Sequence, residues 1–175
     1  MNPLIPSLFA AALLAASPAA AQTLEQKIGQ MLMLGFRGLE LKPGDPIVSD
    51  IKDRNIVGVI LFERDVVLER EMTTADPEVF KAKKKPRPLR NIENPDQVRK
   101  LTAQLKALRS EPLIIAVDQE GGKICRFNES KGFPATKSHE ELGKGDPKLT
   151  EQHSQDIARN LKGLSVNLNL APVVD

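Results

Sequence analysis

Residues 113–122 read Leu-Ile-Ile-Ala-Val-Asp-Gln-Glu-Gly-Gly, and no other stretch constrains the fold as much. An apolar run stops abruptly at three polar residues, and two glycines follow at once. Apolar residues bounded by turn formers read as a strand buried in a parallel sheet. Carboxylates at the carboxyl end of such a strand lie where α/β proteins hold their ligands. Asp118 and Glu120 are two apart, so they face one side for as long as the strand persists. Gly121 and Gly122 allow a sharp turn and a close approach of backbone to ligand. The same local pattern also fits a plain strand-to-loop turn with solvated acids.

The flanking sequence alternates in type. Thr23 and Gln26 form a capping box, and the helix they open carries Leu24, Ile28, Met31 and Leu32 on one face and is expected to end near Gly35. A short helix is predicted over 46–54 and a buried strand over 57–62. Asn94 caps a further helix with Pro95 at its first position, and Val98, Leu101, Leu105 and Leu108 recur at helical spacing. After the 113–118 strand, Asp146-Pro147 opens a helix with Ile157, Leu161 and Leu164 inward. Residues 166–174 form a last strand, with Asn167 and Asn169 set between apolar residues. Strand and helix alternating in this way give right-handed βαβ units and a parallel sheet. Two α/β architectures compete, an open doubly wound sheet and part of a (β/α)8 barrel. A closed barrel needs about 250 residues, and this chain has 175. The chain is therefore expected to be a barrel cut short, stopping on a buried strand.

Residues 1–21 carry no Lys, Arg, Asp or Glu, and the apolar run at 4–16 is followed by Ala19-Ala20-Ala21. This is the layout of a secretory signal peptide, although the usual basic residue near its start is missing. The run falls short of the roughly 20 residues of a membrane span, and the protein is expected in the periplasm or secreted, with no membrane span after cleavage. Residues 22–175 suffice for one compact domain. A net charge of +2 gives no electrostatic footprint for nucleic acid. Cys125 is the sole cysteine, so no internal disulfide forms; its place beside Ile124 suits a small apolar filler rather than a nucleophile. A charged insertion at about 66–91, with the basic run Lys81, Lys83, Lys84, Lys85, Arg87 and Arg90, shows little apolar periodicity and reads as a solvated loop on the ligand side of the sheet.

Phosphate loops and metal-ligand spacings are absent from the sequence, and no cofactor is expected. His139 and His153 lie apart in polar surroundings and are expected at the surface. Asn128-Glu129-Ser130 fits a glycosylation acceptor, a pattern relevant only in a eukaryotic secretory path. Arg126 stands eight residues after Asp118, in the loop the glycines open. Its donors suit a polyhydroxylated or anionic ligand, and a salt bridge within the loop suits them equally.

Four motifs in order carry a family resemblance: Ile28-Gly-Gln-Met-Leu-Met-Leu-Gly35, Gly58-Val-Ile-Leu-Phe-Glu-Arg64, Asp118-Gln-Glu-Gly-Gly122 with Arg126-Phe127, and Asn167-Leu-Asn-Leu-Ala-Pro-Val-Val-Asp175. Together they resemble the amino-terminal half of the catalytic domain of a family 3 glycoside hydrolase, in its β-N-acetylhexosaminidase branch. The resemblance covers residues 24–175 apart from the insertion. It implies the N-terminal half of a (β/α)8, TIM-like barrel and a retaining hydrolysis of terminal β-linked N-acetylhexosamine in peptidoglycan or chitin fragments. By resemblance, Asp118 matches the carboxylate that grips hydroxyls of the terminal sugar, and Arg126 matches a basic residue near the same subsite. Neither is the nucleophile.

The resemblance places the family's Lys-His-x-x-Gly-His loop and its Ser-Asp nucleophile segment downstream of Asp175, so no catalytic residue is assigned in this chain, and hydrolysis by this chain alone is not expected. Export is a departure, since recycling members of this branch are usually cytosolic. With no Trp or Tyr, an aromatic platform for sugar would have to come from Phe62, Phe127 or Phe133. The rival readings are an exported, catalytically degenerate sugar-binding relative, a family 3 β-glucosidase and an exported α/β solute-binding domain.

Overall fold

The computed structural model describes residues 22–75 and 87–172. Residues 1–21, where the sequence places a signal peptide, and residues 81–85 of the basic run lie outside the described residues. In chain order the elements are α1 (Leu24–Gly29), β1 (Met33–Gly35), α2 (Pro46–Lys52), β2 (Gly58–Ile60), α3 (Val66–Ala75), α4 (Pro95–Lys106), β3 (Ile114–Val117), β4 (Gln119–Gly121), β5 (Ile124–Cys125), a 3-10 turn (Glu129–Lys131), α5 (His139–Gly143), α6 (Pro147–Gly163) and β6 (Leu168–Asn169).

Four strands form one parallel sheet in the order β1-β2-β3-β6. Each new strand adds to the same edge, with Met33 beside Gly58, Gly58 beside Ile114, and Ala116 beside Leu168. A doubly wound sheet would reverse its order at a switch point. The packing of the helices agrees with the barrel alternative. Val59, Leu61, Ile115 and Val117 alternate onto one face of the sheet and join a single core with Ile47 and Ile51 of α2, Val98, Leu101 and Leu105 of α4, and Leu161 of α6. Gly58, Ile60, Ile114 and Ala116 fall on the opposite face and lie outside that cluster. Helices on one face only is the arrangement of a barrel wall. Each fully buried aliphatic side chain of this core contributes about 1.5–3 kcal/mol.

The caps read from sequence form as expected. Thr23 and Gln26 bond reciprocally, Asn94 accepts from the N–H of Gln97, and Asp146 accepts from that of Lys148. The first helix, however, does not reach Gly35. It ends at Gly29, and Met33–Gly35 pairs with β2 instead. Sheet pairing prevails over the helical spacing, so Leu24, Ile28, Met31 and Leu32 are all exposed rather than buried together.

The segment expected as a solvated loop is in part a helix. The chain leaves β2 at Glu63 and builds α3, then returns through Arg87 and Leu89. Asp65 opens α3 by accepting from the N–H of Leu68 at 3.0 Å. Arg37 binds the Asp65 carboxylate, with its second contact at 3.2 Å. Arg64 and Arg87 both reach Glu69, at 2.6 and 3.4 Å. Ion pairing thus holds α3 where apolar periodicity gave no helix signal. The base of the excursion is closed by Phe62 and Asn91, whose backbones and the Asn91 amide bond at 2.9 and 3.1 Å.

Candidate functional site

β3 delivers Asp118 directly to the carboxyl end of the sheet. By alternation Asp118 continues the row of Ile114 and Ala116, on the face turned away from the helices. The strand ends at Val117, so the same-side expectation for Asp118 and Glu120, which holds only while the strand persists, does not apply. Regular pairing in the large sheet ends at Val117, and Gln119–Gly121 belongs to a separate two-stranded antiparallel ribbon with β5. The backbone then turns through Gly121 and Gly122, whose φ values are 89° and 57°. A Cβ on Gly121 would sit 2.0 Å from the carbonyl oxygen of Lys137, so glycine is required there by sterics and by backbone conformation together.

The turn brings Arg126 back over β3. Its guanidinium meets Asp118 at 3.3 Å, and each side chain remains 26% exposed. The two residues singled out in the sequence therefore form one ion pair at the carboxyl end of β3, as the salt-bridge reading of Arg126 expects. The pair is incompletely satisfied, because Nε of Arg126 is buried without a hydrogen-bond partner. The Asp118 carboxylate has acceptor capacity left, and a carboxylate anchored by an arginine suits ligands that offer several hydroxyl donors.

The surroundings rest on residues that the motif reading did not single out. Gln119 is 1% exposed, and its Oε1 accepts from the N–H groups of both Arg126 and Phe127 at 3.0 Å. Asn169 of β6 bonds both the N–H and the C=O of Gln119, at 2.9 and 3.0 Å. Asn167 does the same two residues earlier, accepting from Ile115 and donating to Leu113. Their alternation in an apolar strand was the available signal. Glu63, from the end of β2, receives Asn128 at 3.1 Å and lies 3.7 Å from Lys131. Burial lowers the Lys131 pKa, and Glu63 opposes that shift.

Other expectations resolve as follows. Cys125 is a half-buried free thiol with Gln119 and Thr136 at 3.2 Å. Phe127 and Phe133 are buried against each other with ring centroids 4.9 Å apart, so they are core and not a sugar platform. Phe62 is half-buried, with the Arg90 guanidinium 4.8 Å above its ring. His139 and His153, distant in sequence, line one cavity of about 470 Å³ together with Gln119, Leu142, Ile157 and Asn169. His139 stands 3.7 Å from Glu120, and His153 accepts from the N–H of Lys137. α5 folds back on α6, and this joins what the sequence separates. Asn128, in the acceptor-like triplet, is half-buried with its amide bonded to Glu63. Among the described residues no cluster of three His, Cys, Asp or Glu is placed to hold a metal, and no helix is long and apolar enough to cross a membrane.

Residues 23–175 match the glycosyl hydrolase family 3 N terminal domain. The chain belongs to this family. Among solved structures, the family 3 β-N-acetylglucosaminidase from Paenibacillus sp. str. FPU-7 superposes with a TM-score of 0.67 at 31% identity, over 87% of this chain and 24% of that one. NagZ from Neisseria gonorrhoeae gives a TM-score of 0.60 at 28% identity, over 82% of this chain and 36% of that one. A β-hexosaminidase from Nitrosomonas eutropha is 41% identical over 93 residues, 49% of this chain and 26% of the relative. The chain thus spans about a quarter to a third of the length of the relatives it matches. Within the family 3 domain, the unreversed strand order and one-sided helices described above are the wall of its TIM-barrel-like fold, and Asp118 stands at the mouth of that wall.

Proposed function

We propose that the protein is an exported β-N-acetylhexosaminidase, and that the present residues supply the grip on the terminal sugar. The observation that carries this reading is the Asp118–Arg126 pair, partly exposed at the carboxyl end of β3, in a chain whose relatives are β-hexosaminidases. A retaining glycosidase needs two groups flanking the glycosidic bond, one to attack the anomeric carbon and one to protonate the leaving oxygen. By the family resemblance Asp118 takes neither role, since it matches the carboxylate that grips sugar hydroxyls. It suits the hydroxyls of the terminal ring, which it holds while groups from other family segments act on the bond. Ser49-Asp50 does not stand in for the nucleophile segment; it lies in α2, with Asp50 paired to Arg54. Substrates of this class include peptidoglycan and chitin fragments, and the apolar, uncharged leader at 1–21 supports action in the periplasm or outside the cell.

The test uses a nitrophenyl N-acetylglucosaminide. The 175-residue chain is expected to release no nitrophenol. A longer polypeptide that continues into the Lys-His-x-x-Gly-His and Ser-Asp segments is expected to cleave the substrate with retention of configuration. Turnover by the short chain, or an inverted product from the long one, refutes the assignment. Sugar binding without turnover by the longer polypeptide would instead establish the degenerate relative.

A further inference from the structure

We propose that Gln119 is the positioning residue of the sugar subsite: its backbone, held by Asn169, steadies Asp118 beside it, and its buried side-chain amide holds the backbone of Arg126. The proposal rests on the reading of that pair as the sugar grip. Asp118 and Arg126 are eight residues apart, on opposite sides of a tight glycine turn, and neither lies within a strand. β3 ends one residue before Asp118, and β5 ends one residue before Arg126. Gln119 touches both halves. Its backbone adjoins Asp118 and is held on both polar groups by Asn169 of β6. Its side chain turns inward and accepts from the N–H groups of Arg126 and Phe127. The Nε2 group of the same amide donates to Sγ of Cys125 and to the carbonyl of Phe127, at 3.2 and 3.5 Å.

The chain of contacts therefore runs from β6 through Asn169 to the Gln119 backbone, and through the Gln119 side chain to the residue that carries the guanidinium. An amide is the side chain that fits. It must accept two N–H groups and donate to a carbonyl within a buried space, which an apolar residue cannot do and a carboxylate does only in part. Core filling alone would need only bulk at this position, and both N–H groups would then be left without a partner, a costly arrangement in a buried turn.

The decisive measurement is nitrogen-15 NMR of the full chain. In Gln119→Met, which keeps the volume and loses the acceptor, the amides of Arg126 and Phe127 and the guanidinium of Arg126 should exchange with solvent about tenfold faster or more. Signals from α4 should stay in place. Gln119→Glu keeps the acceptor oxygen and should retain slow exchange at both amides. Unchanged Arg126 signals in Gln119→Met, or identical behaviour of the Met and Glu variants, overturn the proposal. Should Gln119→Met fail to fold, Asn169→Ala decides, because it releases the Gln119 backbone without touching the loop; faster exchange at the Arg126 guanidinium supports the relay and no change refutes it.

Titration with millimolar N-acetylglucosamine adds a coupling readout. Gln119→Met and Arg126→Ala should each weaken the shifts at Asp118, and the double variant should weaken them no further; additive losses contradict positioning. If the unmodified chain shows no sugar-dependent shift at Asp118, the sugar reading of the pair fails, and the guanidinium exchange alone still decides the role of Gln119.

Discussion

Asn91 is where loss of one side chain should be felt most sharply. It is fully buried, and its Oδ1 is the acceptor for the N–H of Phe62 at 3.1 Å. Its Nδ2 donates to the carbonyls of Phe36 and Gly38, both at 3.2 Å. Asn91→Ala removes all three bonds. The carbonyl of Phe36 keeps a donor, because Nε of Arg90 reaches it at 2.8 Å. Gly38 is half-buried, so water replaces part of what its carbonyl loses. The N–H of Phe62 is left without its amide partner at the end of β2, which costs about 1–3 kcal/mol. With a smaller term for Gly38 and one for the vacated space, the total is about 3 kcal/mol. For a slope of about 1–3 kcal/mol per molar urea, the unfolding midpoint should fall by roughly 1–3 M. Asn91→Asp keeps the acceptor and loses the donor, and it buries a charge, so it should be no more stable than the alanine variant. Urea unfolding followed by circular dichroism reads both. A loss below about 1 kcal/mol for Asn91→Ala would show that the ends of β1 and β2 are held by something other than this amide.

Acid should weaken the seat of α3. The Arg37 guanidinium holds the Asp65 carboxyl below the usual carboxylate range, so its stabilising share is complete above about pH 4 and is lost as pH falls through the depressed value. Asp65→Asn should flatten that part of the stability curve, and an unaltered acid limb would exclude the pair as its source. Expressed in a secreting bacterium, the protein should appear in the periplasm with Gln22 as its first residue by mass spectrometry; a retained leader, or cytoplasmic protein, would contradict export. In a longer, active polypeptide, removing residues 67–86 should alter Michaelis constants for long substrates while sparing a nitrophenyl sugar. Equal constants for all substrates would show that the excursion does not border the cleft.

Much of the architecture was legible because periodicity and caps act locally. Asn94-Pro95 and Asp146-Pro147 mark true helix starts, and the apolar runs at 57–62 and 113–117 contain β2 and β3. What misled was competition between local and distant preference. Residues 24–35 carry a helical spacing, yet Met33–Gly35 gains more by pairing with β2. The spacing was real, but Met31 and Leu32 fall in or beside a turn, and all four apolar positions remain in water. α3 was hidden for the opposite reason, since it is held by Asp65, Arg64, Arg87 and Glu69 rather than by an apolar stripe. At the site, Asp118 and Arg126 were each readable from the strand end and the glycine turn, and the structure pairs them. Asn169 left only its polar place in an apolar strand as a signal, because its partner Gln119 lies 50 residues away.

The clasp between Phe62 and Asn91 also bears on how such a chain can diversify. A segment whose two ends are already tied together has little further to lose when it grows, since doubling the length of a closed loop costs only about 0.6 kcal/mol. The rim above β2 therefore behaves as a socket for interchangeable cassettes. Beyond the anchors at Asp65 and Glu69, the segment can lengthen or shorten at small entropic cost while Phe62 and Asn91 keep the wall beneath it in register.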